Sequence, residues 1–189
     1  MKTKTNFTLS TIKFTFLSML LLLGSCKEKN ASAQSKSKAP AVDIHTAVVT
    51  GNVEVLKQHL AAGTNINEKD PFGGSSPLIS ASLFGRTEMA KILIDAGADL
   101  NFQNNDGSTA LHTAAFFCRP EIVKFLLEKK ADKTIRNNYE STAYESVTGS
   151  FSDVKSIYEM MEKMLGPMGL KLDFAYVEKT RPEIAAMLK

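Results

Sequence analysis

The chain is poor in the residues that most often carry chemistry. Of 189 residues only three are histidine (His45, His59, His112) and two cysteine (Cys26, Cys118). No C-x-x-C or H-x-x-x-H spacing occurs, which argues against a zinc or redox centre. His45 and His112 lie two repeats apart, roughly 20 Å if the units stack at the spacing of packed layers, too far to share a metal. Ser75 and Ser76 follow glycines, but no G-x-S-x-G is present and no strand pattern feeds such an elbow. No glycine-rich phosphate loop appears, and the carboxylates are scattered. Catalysis, metal binding and a cofactor are therefore not expected. Long apolar runs are missing too. The longest, Phe14 to Leu23, has ten residues, against about 20 for a spanning helix.

What stands at the start is a leader pattern. Lys2, Lys4 and Lys13 form a basic region without acids, the apolar run follows, and Gly24-Ser25-Cys26 close it. That is the layout of a secretory signal peptide. The order Leu23-Gly24-Ser25-Cys26 resembles the lipobox of bacterial lipoproteins. The resemblance implies cleavage before Cys26, acylation of that cysteine, and a membrane anchor made of several acyl chains. Residues 27–40, KEKNASAQSKSKAP, have no apolar periodicity and read as a flexible tether. Lys27 stands where an aspartate can favour inner-membrane retention, so the outer membrane is expected. Lys27-Glu28-Lys29 faintly resembles the more acidic surface-export signals of some Bacteroidetes lipoproteins, and the choice between periplasmic and outer face stays open. Loss of residues 1–25 takes three lysines and brings the formal +3 to about zero, with about −3 beyond residue 40. No global charge case for nucleic acid remains. With Cys26 lipidated, Cys118 has no disulfide partner and is expected to be a small, semi-buried residue.

The remainder repeats itself. Asp43-Ile44-His45-Thr46-Ala47, Pro77-Leu78-Ile79-Ser80-Ala81 and Ala110-Leu111-His112-Thr113-Ala114 align at offsets of 34 and 33. Gly51-Asn52-Val53-Glu54, Gly85-Arg86-Thr87-Glu88 and Cys118-Arg119-Pro120-Glu121 follow the same offsets. The run Asp106-Gly107-Ser108-Thr109-Ala110-Leu111-His112-Thr113-Ala114, with Gly97-Ala98-Asp99-Leu100-Asn101, resembles ankyrin repeats. The resemblance implies an all-α fold, a solenoid of helix-turn-helix units with projecting turns. Units are expected at about 41–70, 71–104, 105–137 and 138–168, with a C-terminal cap at 169–189, so the domain spans 41–189.

Within each unit the residues have assignable roles. Ser76 and Thr109 cap first helices. Ala47, Ala81 and Ala114 are small where first helices must approach. Gly63 and Gly97 end second helices in the left-handed conformation, and Lys130 replaces that glycine in the third unit at a cost on the order of 1 kcal/mol. By the resemblance, His45 and His112 bond between neighbouring turns. Gln58 and His59, polar where the inner units have Ile92-Leu93 and Phe125-Leu126, suit an exposed end. In the fourth unit Tyr144 replaces the leucine and Glu145 the histidine. A longer helix is expected from Ser152 to Leu165, with Val154, Ile157, Met161, Met164 and Leu165 on one face. Arg181-Pro182-Glu183-Ile184 repeats Arg119-Pro120-Glu121-Ile122 and predicts a last helix pair.

Function then falls to surfaces. Ankyrin domains are binding modules, so the resemblance implies a non-catalytic, monomeric protein-protein interaction module with a protein partner. Its candidate contacts are the turn tips, Phe72, Ser75, Asn105, Asp106, Ser108, Tyr139 and Glu140, with an aromatic ladder of Phe84 and Phe117 on the concave face, beside Phe116 and extended by Tyr139, Tyr144 or Phe151. Of each pair, Leu83-Phe84 and Phe116-Phe117, one residue is expected to be buried and one partly exposed. Tyr and Phe make good interface anchors. An alternative is a carrier of a small molecule or cofactor on that aromatic face, which would need a closed pocket.

Overall fold

The computed structural model describes residues 38–189. The leader, Cys26 and most of the tether lie outside the described residues. Six helices pair in sequence: α1 (Ile44–Thr50) with α2 (Val53–Ala62), α3 (Pro77–Leu83) with α4 (Thr87–Asp95), and α5 (Ala110–Phe116) with α6 (Pro120–Glu128). First helices pack on first helices and second on second, giving two rows. Among the described residues there is no strand, and no helix is long and apolar enough to cross a membrane.

Each helix of seven to ten residues is too short to stand alone in water, so the elements depend on caps and stacking. Asp43, Ser76 and Thr109 accept N–H bonds at the starts of α1, α3 and α5. Ala47, Ala81 and Ala114 form a fully buried column between first helices. Leu78, Leu111, Leu93, Leu126, Met89 and Ile122 fill the space between the rows.

Three non-glycine residues are left-handed: Cys118, Lys130 and Glu140, with φ of 53°, 65° and 57°. All three stand where earlier units carry glycine. Lys130 ends α6 as Gly63 and Gly97 end their helices, and its side chain is exposed. Lys130→Gly should therefore raise stability by about 1 kcal/mol, read as a higher urea midpoint with unchanged slope. Cys118 has a different compensation. Its side chain is buried, and burial pushes the thiol up to about 11, so it is protonated and unreactive near neutral pH.

His112 bridges turns as expected. Its Nδ1 accepts the Thr109 N–H (3.2 Å) and its Nε2 donates to the Ser141 carbonyl (3.0 Å), and burial lowers its pKa. His45 differs: neither ring nitrogen finds a partner among the described residues. The residue three before it is Val42, which has no hydroxyl, and the capping Asp43 carboxylate is turned to Thr46. His59 also corrects the sequence reading. It is buried, not exposed, with Nδ1 on the Thr64 hydroxyl (3.0 Å) and Nε2 on the Val42 carbonyl (2.7 Å). Those two partners let a polar ring occupy the core position held by Leu93 and Leu126 in later units.

The fourth unit is built differently from the expected last pair. Its first helix is the single turn α7 (Glu145–Thr148), begun by Glu145, whose carboxylate takes the Thr142 N–H (2.8 Å). That is the local bond His112 makes to Thr109. The chain then leaves the stack through α8 (Phe151–Leu165) and a 3₁₀ turn (Gly166–Met168). It returns as α9 (Phe174–Leu188), which packs on α7 and α6 as a second-row helix. The Arg181–Ile184 motif lies inside α9, a single helix that runs through Pro182. Burial of Val177, Thr180 and Arg181, with the Asp173 cap, makes the preceding turns helical despite the proline.

A row of carbonyls explains how α8 is held. The Val49 and Leu83 carbonyls, at the ends of successive first helices, accept from the next unit's arginine: Arg86 Nη2 at 2.7 Å and Arg119 Nη2 at 3.3 Å. The equivalent carbonyl of the third unit, Phe116, has no such arginine and accepts instead from the Tyr158 hydroxyl of α8 at 2.6 Å. Arg181 donates to that hydroxyl (3.0 Å) and to the fourth equivalent carbonyl, Gly149 (3.1 Å). Phe151 and Tyr158 set the inward side of α8. Ile157 and Met164, expected on the packed face, consequently turn outward and are exposed.

Candidate functional site

The projecting turns form one continuous edge, and its construction starts from three side chains in equivalent places. Asp70, Asn104 and Asn137 each turn back on the backbone that follows. Asp70 accepts from the N–H groups of Phe72, Gly73 and Ser75 (2.8, 2.8 and 2.6 Å). Asn104 holds the N–H groups of Asp106 and Ser108 (3.1 and 2.9 Å), and Asn137 those of Tyr139 and Ser141 (3.0 and 3.2 Å). Short polar side chains that bond two residues ahead preset a turn.

Adjacent turns are also tied to one another. The Asn105 N–H donates to Gly73 O (3.0 Å) and the Asn138 N–H to Asp106 O (2.9 Å). The Asn138 amide donates to Asn105 O (3.0 Å), and the Asn137 amide to the Ser108 hydroxyl (3.2 Å). Gly107 is needed where these strands of chain approach: at φ 70°, a Cβ there would meet Asn138 Oδ1 at 2.7 Å. The tips themselves are Phe72, Asp106 and Tyr139. Phe72 is 90% exposed and Tyr139 72%, and Asp106 between them is exposed. An apolar ring, an acid and a second ring are thus presented in a row by backbone that is already bonded. Little ordering entropy is left to lose on contact.

The candidate contacts expected from the sequence divide accordingly. Phe72, Asn105, Asp106, Tyr139 and Glu140 lie exposed along this edge, and Ser75 and Ser108 are half-buried behind it. The aromatic ladder is a correction. Phe84 and Phe117 are buried, 9% and 4% exposed. Phe116 is partly covered and stacks on Tyr158, ring centroids 4.5 Å apart. Tyr158 of α8 packs on Phe116 and Phe117, on the side where part of the aromatic surface was expected. The rings proposed to line a carrier site are thus buried or partly covered. Tyr158, and the bond Arg181 makes to it, were not read from the sequence; the signal was the 62-residue gap between Arg119 and Arg181, nearly two repeat lengths. Among the described residues no group of three His, Cys, Asp or Glu is placed to hold a metal ion.

Comparison with known proteins agrees with this geometry. The family model "Ankyrin repeats (3 copies)" matches residues 44–137. Human DNA-binding protein RFXANK is 39% identical over 59 residues, 31% of this chain and 23% of the relative. Human protein phosphatase 1 regulatory subunit 27 is 38% identical over 64 residues, 34% of this chain and 41% of the relative. The chain thus spans less than half the length of these curated relatives. Among solved structures, the ankyrin repeat domain of Bcl-3, a member of the IkappaB protein family, superposes with a TM-score of 0.53 at 32% identity. The match covers 55% of this chain and 45% of that one. Residues 44–137 are therefore ankyrin repeats, and the described residues adopt the all-helical ankyrin-repeat fold.

Proposed function

We propose that this protein is a non-catalytic protein-protein interaction module that binds a partner protein through its turn tips. The observation that carries the reading is the row Phe72, Asp106 and Tyr139, exposed on turns bonded both within and between repeats. Relatives named as regulatory subunits of a phosphatase are in keeping with a domain that acts by docking. The concave first helices contribute less than the sequence indicated, because Phe84 and Phe117 are buried. The partner is expected to offer an apolar surface flanked by a cationic or hydrogen-bond-donating group opposite Asp106. In a crosslinked pull-down from intact envelopes, the double variant Phe72→Ala/Tyr139→Ala should recover the partner at least about tenfold less well, as expected for interface aromatics. Equal recovery would remove the tips from the binding surface.

In the same reading the domain sits in the bacterial envelope, monomeric and anchored through acylated Cys26 to the outer membrane. Support comes from the lipobox-like order Leu23-Gly24-Ser25-Cys26. Fractionation with labelled palmitate tests it. Cys26→Ser should lose the label and leave the membrane fraction, and a variant that keeps both would end the lipoprotein assignment.

A further inference from the structure

The fourth unit holds a charge that the binding edge does not use. Arg181 is only 3% exposed, and its acceptors among the described residues are all uncharged: the Tyr158 hydroxyl, the Gly149 carbonyl and, at 3.4 Å, the Ser146 carbonyl. A guanidinium has five N–H groups. These bonds engage three, leaving one on Nη1 and the Nε–H without a protein acceptor among the described residues. The ion pairs among the described residues are formed by other side chains. Buried charges are ordinarily paired with an opposite charge, and this one is not.

Arg181 lines an open pocket of about 490 Å³ between α7 and α9. Val147, Phe151, Ala185 and Ala186 supply apolar wall. Lys189 also lines the pocket, with its main-chain oxygen engaged by Lys133 Nζ at 2.8 Å. Glu178, one turn before Arg181, also lines the pocket, and it is exposed and forms no ion pair there. A deep cation with free donors, beside apolar walls, matches an anion that carries a short hydrophobic group.

We propose that this pocket binds a carboxylate joined to a small apolar group, with Arg181 as its counter-ion. One carboxylate oxygen can take a free N–H of Arg181, and the apolar part lies along Phe151, Ala185 and Ala186. The free C-terminus of a peptide ending in an aliphatic residue and a free short-chain acid share this chemistry. The site lies apart from the turn tips and does not depend on them.

Calorimetric titration of the full chain in detergent tests the proposal with three probes: hexanoate, an acetylated tripeptide ending in a free leucine, and the same tripeptide amidated. At least one acid should bind with a Kd of about 0.1–1 mM, and the amide at least about tenfold more weakly. Hexanoate binding as well as the peptide points to a free acid, and peptide binding alone points to a chain terminus. Because Arg181 also holds Tyr158 and Gly149, its removal could unfold the unit, so two exposed positions carry the test. Ala186→Trp should block binding, and Glu178→Gln, which removes a like charge, should tighten it severalfold. Absence of binding by both acids, an amide that binds as well, an Ala186→Trp variant that binds normally, or a Glu178→Gln variant that binds no more tightly would overturn the proposal.

Discussion

Tyr158→Ala is expected to lower the unfolding free energy by about 3–5 kcal/mol, the range for removing a large buried aromatic side chain. The magnitude is large against a typical total of about 5–15 kcal/mol. Tyr158 is fully buried, stacks on Phe116 and Phe151 (4.5 and 5.8 Å between centroids), and meets Phe117 edge-on. It is the one fully buried residue of α8. Burial pushes its phenol up to about 12, so it is neutral at physiological pH and donates to Phe116 O. Tyr158→Phe separates the two contributions. It keeps the ring and orphans both the Phe116 carbonyl and an Arg181 N–H, at about 1–3 kcal/mol. Urea unfolding measures both losses. Hydrogen exchange should show residues 151–165 losing protection first, since one fully buried side chain anchors the whole helix. A loss below about 1 kcal/mol for the alanine variant would mean that α8 is held by something other than Tyr158.

Asp70→Ala is expected to cost about 2 kcal/mol, because three turn N–H groups lose their acceptor at once. Half-exposed donors recover part of that loss from water, which keeps the figure below the sum of three buried bonds. Asp70→Asn should cost much less, since Asn104 and Asn137 do the same work in the next two turns with an amide oxygen. The two variants also separate in pH dependence. Burial raises the Asp70 pKa, but the N–H groups of Gly73, Phe72 and Ser75 lower it by more, and the net shift is downward. A carboxylate with a folded pKa below its unfolded value of about 3.9 stabilises fully above that value. Its contribution is lost as pH falls through the folded pKa. Asp43, Asp132 and Glu145 are lowered as well, so wild type still weakens in acid for several reasons. The test is the difference: the gap between wild type and Asp70→Asn should close below about pH 4. A gap that stays constant with pH would remove the carboxylate from the explanation.

Much of the architecture was legible in local pattern. The offsets of 34 and 33, the capping Ser76 and Thr109, the buried alanine column and the strained Lys130 all follow from short-range chemistry that each unit repeats. A helix start or a left-handed stop needs only its own few residues to declare itself. The turn tips were legible for the same reason, since Asp70, Asn104 and Asn137 act on backbone two to five residues ahead.

The errors arose where the deciding partner lies far along the chain. His59 looked like an exposed end residue because its acceptor, the Val42 carbonyl, is 17 residues away. Phe84 and Phe117 looked like a concave ladder because apolar side chains before a break read the same whether covered or bare. Phe117 is met edge-on by Tyr158, which is bonded 42 residues back to Phe116 O. Arg181-Pro182-Glu183-Ile184 was seen as a repeat of Arg119-Pro120-Glu121-Ile122, but its position inside a single helix depends on burial against α6 and α7.

By itself, then, the sequence determined a stack of ankyrin units with projecting turns, because period, caps and turn side chains are local and each unit states them again. Only the tertiary structure decided that the fourth unit is interrupted by α8 and that its second helix is α9. It also decided that the phenylalanines are core and that Arg181 sits buried without a counter-ion. Those outcomes are set by which carbonyl, ring or cavity a side chain meets across the stack, and spacing along the chain carries no record of that meeting.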